Sequence, residues 1–91
     1  MKYFTSSLFK RIVKKLDFQK QEEIKRAISE LVAFFDSGLK SEGMGLKRLR
    51  ENIWEIRASR SDRILFNFEK DEIHFLVVSG HDEIRRYLKE V

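Results

Sequence analysis

The hydrophobic pattern of this chain changes period partway along its length. Leu8, Phe9, Ile12, Val13 and Leu16 recur at helical spacing, and so do Ile24, Ala27, Ile28, Leu31, Val32 and Phe35. From Ile53 to Ser59, Arg63 to Glu69 and Ile73 to Ser79 the pattern alternates, with β-branched and aromatic residues on every second position. Neither a helix stripe nor a one-sided sheet is stable alone, so the first half must cover the second. With no Pro and only four Gly, few breaks interrupt these elements. At 91 residues the chain is expected to be a single domain spanning 1–91.

The boundaries follow from local chemistry. Met1 to Thr5 reads as a short strand, with Tyr3 and Phe4 as anchors. Ser6 or Ser7 caps the first helix and Asp17 the second, by accepting backbone N–H bonds. Asp36-Ser-Gly38 ends the second helix, with Gly38 in the left-handed position. Ser41-Glu-Gly-Met-Gly45 reads as a flexible connection. The turns are Ser59-Arg-Ser-Asp62 and Lys70-Asp71, and Asp82 leads a short helix through Ile84, Tyr87 and Leu88. The expected fold is α+β, in the order βααβββα: an N-terminal strand and a helical hairpin packed on an antiparallel sheet. Trp54, Ile56, Ala58, Ile64, Phe66, Phe68, Ile73, Phe75 and Val77 are the expected helix-facing core. The opposite face, with Ile53, Glu55, Arg57, Arg63, Leu65, Asn67, Glu69, His74, Leu76 and Val78, is mixed.

Composition narrows the chemistry. No Cys is present, which excludes disulfides and thiolate metal sites. Two His without a carboxylate pair at ligand spacing predict no metal site, and no Gly-rich phosphate loop occurs. No cofactor is expected. No apolar run approaches bilayer length, and Met1 to Ser7 has no apolar core of a signal peptide. A cytoplasmic protein without a membrane partner is therefore expected.

The net charge is +4. Its distribution matters more than its size. Lys47, Arg48, Arg50, Arg57, Arg60 and Arg63 crowd into one stretch of the second half, and Arg's planar fork suits phosphate. Strand alternation puts Arg57 on the face of Glu55. If the first two long strands pair, Arg57 and Arg63 approach each other across the sheet. Two guanidinium groups so placed repel unless an anion lies between them; a phosphate and Glu55 are both candidates. The alternative, arginines solvated or paired with Glu51, Glu55 and Asp62, stays open at this level. So do a turn role for His81 and a packing role for Tyr87. RNA scission needs no protein nucleophile, because the substrate 2′-hydroxyl attacks its own phosphate; Arg57, Arg63, His81 and Tyr87 are suitable types for holding the phosphate and moving protons.

Leu46-Lys-Arg-Leu49, Ile53-Trp-Glu-Ile-Arg57, Arg63-Ile-Leu-Phe66 and Val77-Val-Ser-Gly-His81 together resemble the RelE/ParE superfamily of toxins. The resemblance covers essentially the whole chain. It implies a RelE-like fold and a toxin of a type II toxin–antitoxin system, causing growth arrest and serving plasmid stabilisation, with a cognate antitoxin as partner. In the RelE branch it implies a ribosome-dependent mRNA endonuclease, an mRNA interferase acting on the ribosome and its mRNA. Arg63 then matches a phosphate-contacting arginine and Arg57 the arginine after Trp-Glu-Ile. His81 falls near the basic residue that follows the last strand's Gly, and Tyr87 matches the C-terminal catalytic tyrosine loosely. Lys47, Arg48, Arg50 and Arg60 would steer RNA. The chain departs from RelE itself in carrying Glu55 on a strand where that protein has lysines. The ParE branch implies instead a non-nuclease inhibitor of DNA gyrase, and a third alternative is an inactive RelE-fold module that binds protein.

Overall fold

The computed structural model describes residues 1–40 and 42–90, with the backbone alone at 81 and 90. Strand β1 (Lys2–Thr5) leads into helices α1 (Ser7–Lys15) and α2 (Phe18–Ser37). Strands β2 (Lys47–Arg48), β3 (Ile53–Arg57), β4 (Asp62–Glu69) and β5 (Glu72–Gly80) follow, and helix α3 (His81–Glu90) comes last. The five-stranded sheet has the order β1-β5-β4-β3-β2. The three long strands form an antiparallel meander, as expected, and β2 continues it antiparallel.

The helix starts are built as their sequences dictate. Ser6 caps α1: its Oγ accepts from the Phe9 N–H at 2.9 Å and donates to the Leu76 carbonyl at 2.9 Å. One hydroxyl thus starts the helix and pins it to β5. Asp17 caps α2 by accepting from the Lys20 N–H at 2.8 Å. The Gln21 amide donates to the Val13 and Leu16 carbonyls at the end of α1, where Val13 also accepts from the Leu16 N–H. Gly38 closes α2 at φ 73°, its N–H donating to the Phe34 carbonyl at 2.8 Å.

Both helices lie on one face of the sheet, α1 over β5 and α2 over β3. Phe9, Ile24, Ala27 and Leu31 meet Ile56, Ile64, Phe66, Ile73, Phe75 and Val78 there, all buried. Helix α3 packs on the opposite face, where Ile84 joins Leu65 and Val77 in a second, smaller cluster. That is why the second face reads as neither dry nor solvated: part of it lies under a helix and part does not. Among the described residues, no helix is long and apolar enough to cross a membrane.

Four details differ from the sequence reading. Strand β1 joins the sheet parallel to β5, with both helices and strands β2 to β4 lying between the two in the chain, a connection long enough to allow parallel pairing. The two residues Lys47 and Arg48, which precede the strands read from the alternating pattern, pair with β3 as a short edge strand. The connection before them is not loose: Met44 is fully buried, while Ser41 lies outside the described residues. Finally, Val77 and Val78 exchange faces. Leu65 pairs with Val77 but Phe66 pairs with Phe75, so Leu76 is an extra residue in β5. Each such bulge reverses the alternation beyond it. Val78 therefore joins the helix-facing core, and Val77 turns toward α3.

Candidate functional site

The site is set by the register of one hairpin. Arg57 and Arg63 are direct cross-strand partners, the last pair before the turn between β3 and β4. Residues directly opposite share a face, so both guanidinium stems rise from the face away from α1 and α2. The turn between them is held tightly. The Ala58 and Ser59 N–H groups donate to the Asp62 carbonyl, and the Asp62 N–H donates to the Ser59 hydroxyl at 3.1 Å. Helix α2 grips it from the other side, through Arg26 Nη2 to the Ala58 carbonyl at 2.6 Å and Lys20 Nζ to Asp62 Oδ2 at 3.3 Å.

The loop before β2 fixes Arg57 from its flank. The Arg57 N–H donates to the Met44 carbonyl at 2.8 Å. Gly45 runs against it at φ 64°, so close that a Cβ there would sit 3.2 Å from the Arg57 Cβ. Glycine is needed on both counts, for the left-handed backbone and for the approach.

Arg57 is exposed, whereas Arg63 is half-buried between Arg57 on β3 and Ser79 on β5. The Arg63 Nη1 atom is buried with no hydrogen-bond partner among the described residues. A buried guanidinium donor without an acceptor is costly, so any movement that brought an acceptor to Arg63 Nη1 would be favoured. Glu55 lies on the same face, between Lys47 and Leu65 in register, and is 6% exposed. Neither arginine is within 4.0 Å of a carboxylate among the described residues, so Glu55 does not lock them.

Tyr87 reaches this face from α3. It is half-buried against the second cluster and lines an open cleft of about 290 Å³ with Val77, Ser79, Glu83 and Arg86. Since Ser79 is the cross-strand neighbour of Arg63, the cleft adjoins the arginine pair. The His81 side chain lies outside the described residues; its backbone opens α3, directly after Gly80.

The remaining cations do not gather there. Arg48 faces the α2 side with Trp54, its guanidinium 6.0 Å from the indole and bonded to the Arg50 and Glu51 carbonyls. Arg50 donates to the Leu88 carbonyl and so caps the end of α3. Arg60 is exposed at the tip of the turn. Lys47 is exposed on the edge strand, on the Glu55 side.

Two residues beside the arginines were not singled out from sequence as site residues. Arg86 was legible as the helical neighbour of Tyr87, three positions after Glu83, once α3 is laid on the sheet. Glu55 entered only as a counter-charge; its burial could not be read from strand alternation. The opposite end of the same face is acidic. A pocket of about 240 Å³ is lined there by Asn67, Glu69, Lys70, Glu72 and His74. His74 Nε2 is 2.9 Å from Glu72 Oε1, and its ring stacks on Phe4 at 4.7 Å and 13°. Among the described residues, no group of three or more His, Cys, Asp or Glu could hold a metal ion.

A helix pair on one face of a five-stranded sheet, with a short terminal helix on the other, is the RelE-like toxin fold. The chain is similar over 92% of its length to 96% of a chain in the RelB–RelE antitoxin–toxin complex from Methanococcus jannaschii, with a TM-score of 0.69 and 21% identity. It is similar over 89% of its length to 99% of the YoeB/ParE toxin from Agrobacterium tumefaciens, with a TM-score of 0.67 and 13% identity. With YafQ from Escherichia coli the TM-score is 0.64 at 10% identity, covering 90% of this chain and 94% of that one. No family model matches the sequence, and no curated protein does.

Proposed function

We propose that this chain is the toxin of a type II toxin–antitoxin pair and acts as a ribosome-dependent mRNA endonuclease. The observation that carries the reading is the Arg57–Arg63 pair: directly opposed, free of carboxylates among the described residues, with one buried donor waiting for an acceptor. Two forks so placed can grip one phosphate through charge-assisted bonds. In the reaction, the 2′-oxygen bonds to phosphorus and the bond to the 5′-oxygen breaks. The 2′-hydroxyl proton leaves to a base, and the leaving oxygen takes a proton from an acid. Arg57 and Arg63 hold the phosphate in line and offset its added charge. His81 and Tyr87 are the assigned proton carriers, and Lys47 and Arg60 steer the RNA.

A cognate antitoxin is the proposed partner, supported by the neighbour that was solved with one. The ParE-like reading has one observation in its favour. Phe34, Phe35, Leu46, Trp54 and Phe68 line an open apolar pocket of about 300 Å³ on the helix side, a surface suited to protein rather than RNA. Inhibition of DNA gyrase supercoiling by the purified protein would favour it.

The test is controlled expression in cells with primer extension on total mRNA. Growth arrest with cleavage inside translated messages is expected, and Arg63→Ala should relieve both. Arrest that persists in Arg63→Ala, with message intact, would remove the nuclease reading.

A further inference from the structure

Resting on that reading of the arginine pair, we infer that Glu55 is a positioning residue: it is the built-in counter-charge that offsets the repulsion between Arg57 and Arg63 and weakens the site's grip on simple anions.

Two like charges directly opposite on a sheet destabilise it. The Arg57–Arg63 pair is such a placement, and half of it is shielded from water. Glu55 is two residues from Arg57 on the same strand and diagonal to Arg63 across the hairpin, on the same face. Its cross-strand neighbour on the other side is Lys47. The carboxylate therefore has a cation from its own strand and one from each neighbouring strand.

Burial at 6% exposure puts it where water screens least. Yet it makes no ion pair or hydrogen bond with any of these cations among the described residues. Its effect is exerted through the field and not through contact. No carboxylate among the described residues occupies the donors of Arg57 or Arg63, and the buried Arg63 Nη1 remains without an acceptor. A carboxylate bonded to the pair would close the site, whereas an apolar residue would leave the repulsion unrelieved. A near but unbonded carboxylate lies between these outcomes.

The test uses inorganic phosphate as the probe and follows the arginine side-chain resonances by NMR, alongside thermal unfolding. Glu55→Gln removes the charge and keeps the shape. It is expected to bind phosphate about tenfold more tightly than the wild type, as the loss of one nearby opposing charge implies. Without phosphate it should unfold at lower temperature, and added phosphate should restore more of that loss than it adds to the wild type. Glu55→Asp keeps the charge and should keep the wild-type affinity. Unchanged or weaker phosphate binding in Glu55→Gln, while Arg63→Ala abolishes it, would overturn the role of Glu55 alone. Phosphate binding that survives Arg63→Ala would overturn the arginine site itself. Should Glu55→Gln fail to fold even in phosphate, the carboxylate is structural and the inference falls.

Discussion

The two faces of this sheet share the same strands but not the same chemistry. Toward α1 and α2, the inward positions Ile56, Ile64, Phe66, Ile73 and Phe75 are apolar and essentially inaccessible. Toward α3, Leu65 and Val77 are covered, while Glu55, Arg57, Arg63, Asn67, His74 and Ser79 lie around them. One face is a core and the other is a small core with a charged margin. The difference teaches where stability and recognition reside. A helix pair can seal one face completely, but a single ten-residue helix cannot seal the other. The margin it leaves is where polar groups can sit with partial burial.

Substitutions should separate the two faces, and the largest effect belongs to the sealed one. Phe66 is fully buried against Phe75, with ring centroids 6.1 Å apart. Phe66→Ala is expected to cost about 3–5 kcal/mol in denaturant unfolding, enough to exhaust much of a small domain's stability. Arg63→Ala should do the reverse. It removes a guanidinium whose Nη1 has no partner, so unfolding should shift by less than about 1 kcal/mol while phosphate binding and toxicity are lost. If its stability fell as far as that of Phe66→Ala, the division between the faces would collapse.

Smaller effects sharpen the comparison at its edges. Arg50 joins the charged margin to α3 by donating to the Leu88 carbonyl. Arg50→Ala should fray the last turn of α3 at a cost of about 0.5–1.5 kcal/mol, read as faster amide exchange there and not in β4.

Tyr3 carries a polar atom into the sealed face, and its hydroxyl is buried without a partner among the described residues. Burial, and secondarily the Asp36 carboxylate, push its phenol above the ordinary value of 10.0. The folded chain then holds this proton more tightly than the unfolded one. Stability is unaffected by this group below the unfolded value and falls as pH rises from there through the folded value. Tyr3→Phe should match or exceed wild-type stability at neutral pH, by up to about 1 kcal/mol, and lose part of the alkaline decline. A clear loss of stability in Tyr3→Phe would mean that the hydroxyl has an acceptor.

Much of this architecture was legible because it is local. The caps at Ser6, Asp17 and Gly38 depend on side-chain chemistry within four residues, and all three act as expected. The pairing of Arg57 with Arg63 follows from a short turn and strand alternation, so it too was readable. Alternation failed at Leu76, where one extra residue exchanges Val77 and Val78. A bulge is selected by how both flanking segments pack and leaves no mark in hydrophobic period. The cations of the 47–50 segment show the same limit. The resemblance implied that they steer RNA, and their local contacts were not legible from it: Arg48 staples its own turn and Arg50 donates to a distant helix.

By itself, the sequence determined the two helices, the three long strands and the face on which the two arginines meet. These depend on period and on chemistry between near neighbours. The direction of β1, the burial of Met44 and Glu55, and the cleft beside Tyr87 were decided only in three dimensions. Each depends on which distant segment lies above it, and that is set by the competition of all segments for the same apolar surface.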